Sequence, residues 1–487
     1  MKKKSLGLNA VLNGIKSLLN LVFPLLTFPY ISRILTVKGI GINNFANTFV
    51  GYFVLVAQLG INNYAIREGA RFRNNISEFN KFANEVFSIN IISTILAYVS
   101  LLITLICFDN LQDYISCILI YSIQILFTTL GVEWIYIIYE DYAYITVRSI
   151  IFNILSIVLL FILVKKAQDY LIYAGITIFA TVGSNILNFI KIRSKVKIRF
   201  IKKINLKKHI VPILILFAAN VSSAIYMSCD NTILGLFKGD YAVGIYSITV
   251  KIYTMCKSLI LAGITVTIPR LAMLYGQKRK KEYDKVISNV FDILTLIALP
   301  ATVGLILLSK EVVIILASKK YLPSVTSLQI IALATLFALF SYILSSCVLI
   351  PAKREKYVLK ETIIASVVNI VLNIWLIPKW SYNAAAITTV ISELTALSIG
   401  FYYSKDIISN TLYSKERLKN LFHASLGSAG IIIVCLFSDE ICNSLISKAF
   451  TAVIFSIVVY ASTLFLLKNK YLLIALSYFK NLIGKNR

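Results

Sequence analysis

Fourteen apolar runs, each about 18 to 26 residues long, alternate with short loops along almost the whole of this 487-residue chain. A helix needs roughly 20 apolar residues to cross a hydrocarbon core of about 30 Å, so runs of this length read as membrane-spanning helices. They fall at 8–31, 42–64, 82–106, 114–138, 146–164, 170–190, 209–234, 242–268, 287–308, 324–350, 357–378, 382–403, 420–437 and 447–467. A membrane β-barrel would instead show segments of about ten residues with alternating polarity. Between Leu8 and Leu467 no segment outside the runs is long enough to fold as a soluble domain. Chemistry is therefore confined to the bilayer and its two surfaces, which excludes most enzyme classes.

The composition agrees: 58% of residues are apolar and 15% charged, against about 45–50% and 25% in soluble domains. Orientation follows from the basic residues. With the N-terminus inside, 36 of the 49 Lys and Arg fall at cytoplasmic segments, nine of them between Lys191 and Lys208. Retention of positive loops on the cytoplasmic side explains that bias and predicts that both termini are cytoplasmic. The formal charge of +27 then reflects topology and attraction to anionic membrane lipids. Nucleic acid is disfavoured as a partner because the basic residues form no reader domain.

Met1–Lys4 runs straight into an apolar span with no small-residue cleavage site after it, so the first helix is expected to act as its own insertion signal. The seven cysteines form no CxxC pair and mostly lie within spans, where a thiol packs as a small apolar group. His209 and His423 stand apart from each other near helix starts, and no metal site is expected.

The fold class expected is an all-α integral membrane protein of about 14 helices: two six-helix lobes plus two C-terminal helices. The basic segment 191–208 separates an N-lobe (1–190) from a C-lobe (209–403), as in transporters built from internal repeats. Two extra helices (404–467) and a basic cytoplasmic tail (468–487) follow, with an amphipathic patch at Tyr471–Phe479 expected on the inner surface.

A charge at the centre of a membrane helix costs about 2.5–3.5 kcal/mol on insertion scales and usually faces a bundle interior or wet cavity. Lys251 lies near the middle of its span, Lys257 deeper toward the cytoplasm, Lys16 within the first span, and Arg270 where the eighth span meets the inner surface. The acids singled out within spans are Glu133, Asp230 and Glu393; Asp292 reads as an interfacial residue without a role. Snorkelling to headgroups is the bland alternative for Lys16, Lys257 and Arg270, and a structural bridge to Asp230 is the one for Lys251. Together the cations suggest a positively biased interior suited to a phosphate or pyrophosphate.

Residues 23–35 (FPLLTFPYISRIL), Gly39-Ile40-Gly41, Asn44–Asn47, and Leu59-Gly60-Ile61 followed by Tyr64–Ala70 resemble the first two helices of the Wzx-type polysaccharide flippases. Weaker matches are Gly131–Trp134, Asp230–Gly235, Ile268–Leu271, Asn369 and Asn373. The resemblance covers nearly the whole chain. It implies the multidrug/oligosaccharidyl-lipid/polysaccharide superfamily, with two lobes around a central cavity in a bacterial cytoplasmic membrane. It further implies transport of an undecaprenyl-pyrophosphate-linked oligosaccharide from inner to outer leaflet by alternating access, with no catalytic residue and no cofactor beyond a possible H⁺ or Na⁺ counter-ion. On that basis Lys251, Lys16, Lys257 and Arg270 would attract the pyrophosphate, and Glu133, Asp230 or Glu393 would take the ion. A polymerase and glycosyltransferases of the same pathway become expected partners.

Among the motif residues, Pro24 and Pro29 read as a bend in the first span, Arg33 as part of the family block, and Arg67 and Glu68 as members of a local salt-bridge network. Gly39 and Gly41 read as turn-formers rather than a phosphate cradle. The rivals are a lipid II flippase or a multidrug or metabolite exporter of the same superfamily and, more remotely, a membrane glycan polymerase or transferase.

Overall fold

The computed structural model describes residues 23–412, 414–441, 444–474 and 476–477. These are mostly helical, with no strand among them, and eleven of the described helices are long and apolar enough to cross a membrane. In chain order they run α1 (23–34), α2 (Val37–Gln58), α3 (Ile61–Gly69), α4 (Ile76–Cys107), α5 (Ile115–Gly131), α6 (Glu133–Ile138), α7 (Tyr142–Leu163), α8 (Tyr170–Ile178) and α9 (Asn185–Arg193). There follow α10 (Leu206–Thr265), α11 (Ile268–Gly276), α12 (Lys280–Leu307), α13 (Ser309–Leu316), α14 (Val325–Tyr342), α15 (Glu355–Leu412), α16 (Lys415–Ile441) and α17 (Leu445–Leu466). A short π-helical stretch, Ile343–Leu349, continues α14.

At about 1.5 Å per residue, α10 and α15, with 60 and 58 residues, are far longer than one crossing. Each is broken once. Gly239 in α10 takes φ 73°, ψ −175°, a region open to glycine alone without cost. Ser381 in α15 takes φ 52°, ψ −134°, a strained conformation for a residue with a Cβ.

Other breaks fall inside runs that hydropathy reads as continuous. Leu59 and Gly60 (φ 44° and 72°) end α2 within the expected span 42–64. A methyl on Gly60 would lie 2.7 Å from the Phe217 amide nitrogen and 3.0 Å from the Ile213 carbonyl, so the position needs glycine for its conformation and for a close approach. Val132, a β-branched residue at φ 37°, separates α5 from α6. Gly39 and Gly41 are not turn residues: both lie in the first turns of α2, where a methyl on Gly41 would overlap the Asp240 carbonyl.

The chain divides into two compact units, meeting in sequence between Gly244 and Ile245. In the first, α4 carries Asn90, Ser93 and Thr94 on its buried side and Ile92, Ile95, Leu96, Val99, Leu102 and Ile103 on its exposed side. Polar groups inside and apolar groups outside are what lipid demands of a helix. Asn90 and Ser93 donate to the Ala57 carbonyl at 2.8 and 2.5 Å, and Thr94 meets Thr129 at 2.6 Å. An aromatic core including Tyr64, Phe79, Phe82, Phe87 and Trp134 closes the end of the unit that also holds the basic segment.

That basic segment is docked, not loose. Backbone amides of Lys197, Arg199 and Ile201 donate to Asn80, Asn84 and Ser88 on α4 at 3.1, 2.8 and 2.8 Å. Val196 and Ile198 point into the core while Lys195, Lys197 and Arg199 stay exposed, the alternation of an extended chain. His209 follows at the start of α10. It is not solitary: its ring joins Tyr64 Oη (2.6 Å) to Glu85 Oε2 (2.6 Å), all three buried. Arg148 is buried in α7 and donates to the Ser184 carbonyl at 3.3 Å.

In the second unit α12, α14 and α15 share a core of Tyr283, Phe291, Leu294, Leu339, Ile343 and Cys347. The last two helices are pinned to it at both ends. Asp292, dismissed on sequence, is 1% exposed and pairs with Arg417 Nε at 3.3 Å, while Tyr471 donates to it at 2.8 Å. At the other end Lys448 meets the buried Glu311 at 2.6 Å. Asn469 donates to Asn420 at 2.9 Å and sits 3.1 Å from His423 Nδ1, so the second histidine is also engaged. The expected surface patch therefore begins with an anchor, since Tyr471 is tied into α12; Phe479 lies outside the described residues.

Candidate functional site

One cation and one acid singled out from the sequence, Lys257 and Glu393, meet in the second unit. Lys257 and Tyr253 lie one turn apart on α10, and Glu393 lies on the second half of α15. Tyr253 donates to Glu393 Oε1 at 2.8 Å, and Lys257 Nζ is 3.1 Å from the same hydroxyl and 3.7 Å from the carboxylate. Lys257 also rests 4.8 Å from the Tyr253 ring centre. Glu393 is 6% exposed. Lys257 thus holds an internal carboxylate rather than snorkelling outward. Lys251 is half-buried on the same helix, six residues earlier. A polar row continues in α15, where Asn373 donates to Asn369 at 3.0 Å and Thr388 to Asn373 at 2.6 Å, all buried.

The remaining sequence-chosen residues are dispersed. Lys16 lies outside the described residues. Arg270 is exposed on α11. Asp230 is half-buried in the first-unit part of α10, where the Cys229 thiol approaches its carboxylate at 3.8 Å. Glu133 is the first residue of α6, within electrostatic range of Arg148. In α1, Arg33 donates to the Pro29 carbonyl at 2.6 Å, and Pro24 is half-buried. Glu68 pairs with Arg67 at 3.1 Å and Arg71 at 2.8 Å, all near the surface.

Two features escaped sequence reading. The first is Glu361 near the start of α15, 5% exposed, which accepts hydrogen bonds from Ser341 (2.7 Å) and Ser345 (2.9 Å). It lies only four residues inside an expected span, beside Lys360, and is not among the acids singled out from the sequence. The second is a cavity of about 860 Å³ between α12, α16 and α17, walled by Ile293, Leu296, Ile297, Pro300, Ile431, Val453, Tyr460 and Leu464. Its walls are almost wholly apolar, and Cys256, the neighbour of Lys257, is one of them. No signal in the sequence joins helices so far apart in the chain. Among the described residues no group of His, Cys, Asp and Glu is placed to hold a metal ion.

Outside the spans, Arg354 donates through both terminal nitrogens to Asp406 at 2.8 and 2.6 Å, which holds that carboxyl below its ordinary range. Tyr471, bonded to Asp292 and partly desolvated, is pushed well above the usual range of a phenol; burial is the larger cause.

A family model described as polysaccharide biosynthesis protein matches residues 6–275, and the MatE model matches residues 216–375. A relative named O-antigen transporter from Shigella dysenteriae is 24% identical over 356 residues, covering 72% of this chain and 88% of its own. The capsular polysaccharide biosynthesis protein CapF of Staphylococcus aureus is 25% identical over 346 residues, covering 67% and 83%. Among solved structures, the lipid II flippase MurJ in an inward closed conformation superposes with a TM-score of 0.74 at 17% identity, covering 98% of this chain and 99% of that one. That likeness establishes the fold, an all-helical one whose described helices include eleven long and apolar enough to cross a membrane.

Proposed function

The chain belongs to the polysaccharide biosynthesis protein family, and from that premise we propose that it is a flippase for undecaprenyl-pyrophosphate-linked oligosaccharide repeat units. The observation that carries this reading is a juxtaposition on one turn of α10. Cys256 faces the large apolar cavity, while Tyr253 and Lys257 beside it face Glu393. A lipid-linked glycan is itself divided in this way. Its polyprenyl tail is at home among apolar walls, whereas its sugars and pyrophosphate are prohibitively costly to bring into hydrocarbon without polar partners.

In this reading Lys251 and Lys257 attract the pyrophosphate, with Lys16 and Arg270 as inner-side contacts. Glu393, Asp230 or Glu133 takes a proton or Na⁺ that resets the cycle. The two six-helix lobes, 1–190 and 209–403, alternate access between the leaflets of a bacterial cytoplasmic membrane, both termini staying inside. The protein transports without making or breaking covalent bonds and needs no cofactor. Its partners are the polymerase and glycosyltransferases of the same pathway. The name of the Shigella relative supports a surface-glycan cargo.

The test uses vesicles carrying the protein and a fluorescent undecaprenyl-pyrophosphate oligosaccharide, with an impermeant glycan-cleaving enzyme reporting the outer leaflet. Protein-dependent exposure is expected. The Lys251→Ala, Lys257→Ala pair should slow it by about tenfold or more at equal protein, since a charge-assisted bond is worth about 1.5–3 kcal/mol. Undiminished flipping in that variant would remove the cationic path. Exposure of lipid II in preference to the oligosaccharide would reassign the cargo.

A further inference from the structure

We propose that Glu361 is a proton-binding site of the second unit. Four carboxylates described in this unit are buried: Asp292, Glu311, Glu361 and Glu393. Three face a cation, respectively Arg417 at 3.3 Å, Lys448 at 2.6 Å and Lys257 at 3.7 Å. Glu361 has no ion pair among the described residues; its partners are the hydroxyls of Ser341 and Ser345. An unpaired carboxylate charge in an apolar interior is neutralised rather than tolerated, and a single proton does so here.

The pocket is built for both states. A serine hydroxyl donates or accepts as required. With the proton absent, both hydroxyls donate to the carboxylate; with it bound, the carboxyl O–H donates to one serine oxygen while its C=O accepts from the other. No side chain turns over and no bond other than O–H forms or breaks. Gly400 backs the carboxyl, and a methyl there would stand 3.1 Å from Glu361 Oε2, so a larger residue would press on the site. Ser345 belongs to the π-helical stretch 343–349, a departure from regular helix often met at functional positions.

The titratable groups on the helices packed about it include Tyr342 and Cys347 beside the serines, Tyr283 on α12, and Glu393 and Tyr403 on the second half of α15. Lys251, Tyr253 and Lys257 lie on α10, and Lys360 on α15 itself is bonded to Tyr403 at 2.9 Å. Of these, Glu393 is the one whose charge acts on Glu361, and that charge is answered by Lys257. Glu361 lies 20 residues before the break at Ser381 and Glu393 lies 12 after it, so along antiparallel halves they are offset by about 12 Å at 1.5 Å per residue. Glu361 is the nearer to the end of the unit that carries Lys353–Lys360. A proton entering from that face reaches it first.

Proton binding stands without any assumption about cargo; its coupling to transport rests on the flippase reading above. The decisive measurement is the infrared C=O band of protonated carboxyls in purified protein in lipid nanodiscs at neutral pH, without cargo. One such band should vanish in Glu361→Gln, persist in Glu393→Gln, and shift in Ser341→Ala, a milder change that serves if the glutamine variant misfolds. Spectra unchanged in both Glu361→Gln and Ser341→Ala overturn the site. In flipping vesicles, Glu361→Gln should reduce the acceleration given by a pH gradient, Glu361 acting beside whichever of Glu393, Asp230 and Glu133 takes the coupling ion. A variant that loses the band but keeps that acceleration leaves the site standing and overturns the coupling.

Discussion

His209→Ala removes the middle of the buried row Tyr64–His209–Glu85, which joins α3, the start of α10 and α4 in the first unit. With Glu85 7% and Tyr64 2% exposed, neither stranded group gains water. Leaving a buried charge without its partner costs about 3–5 kcal/mol, and a stranded buried hydroxyl about 1–3 kcal/mol. The two share one partner and relax together, so the expected loss is about 3–5 kcal/mol, a large part of the roughly 5–15 kcal/mol that holds a typical domain folded. Glu85→Gln keeps the volume and removes the carboxylate. Combined with His209→Ala it should recover part of the loss, giving a coupling of about 0.5–3 kcal/mol in the double-mutant cycle. Denaturant unfolding in detergent micelles, followed by loss of the monodisperse species, supplies all four corners. A His209→Ala cost below about 1 kcal/mol, or strict additivity with Glu85→Gln, would refute the assignment of this row as a fold-determining contact.

Gly41→Ala should destabilise by about 1–3 kcal/mol, the usual cost of overpacking, because its methyl would overlap backbone of Asp240. Gly51→Ala, on the same helix with nothing within 4 Å, is the control: helix propensity alone should stabilise it by about 0.5–1 kcal/mol, and equal melting shifts for the two would refute the packing argument. For Asp406, the folded carboxyl lies below the unfolded value of about 3.9, so the Arg354 pair contributes stability above that pH and loses it as the pH falls toward the folded value. Its carboxylate is 56% exposed, which limits the contribution to about 0.2–1 kcal/mol. Asp406→Asn should be slightly less stable than the native chain at neutral pH and should match it once the medium falls well below pH 4; a gap that persists there would show that the charge is not its source.

What sequence could read was set by range. Span-scale hydropathy is local, and α4, α7, α12 and α17 fall where the apolar runs lie. Breaks such as Leu59–Gly60 and Val132 leave hydropathy unchanged and so were invisible to it, although the resemblance singled out both segments. Charged residues were legible as exceptions, but their partners were not. Lys257 and Glu393 are 136 residues apart, and Asp292, which reads as interfacial, has its partners Arg417 and Tyr471 more than a hundred residues later. Glu361 was not singled out at all, because the serines that face it lie on another helix and leave no local trace. The basic segment shows the opposite error. Its charge marked it as a linker, while the alternation Val196, Ile198 against Lys197, Arg199 already carried the period of an extended, half-buried chain.

The docking of that segment on α4 works as a vernier. Two residues of extended chain advance about 6.6 Å, while four residues of helix advance about 6.0 Å. Amides 197, 199 and 201 can therefore stay opposite side chains 80, 84 and 88, with an accumulated error of only about 1.2 Å across the three bonds. A longer run would drift out of hydrogen-bond range, so the two scales agree over little more than the stretch actually used. Because successive residues face opposite ways, slippage by one would turn Val196 and Ile198 outward and bring Lys197 and Arg199 onto the core. The segment is consequently metered in pairs, and where α10 begins along the chain is fixed by that count as firmly as by the anchoring of His209.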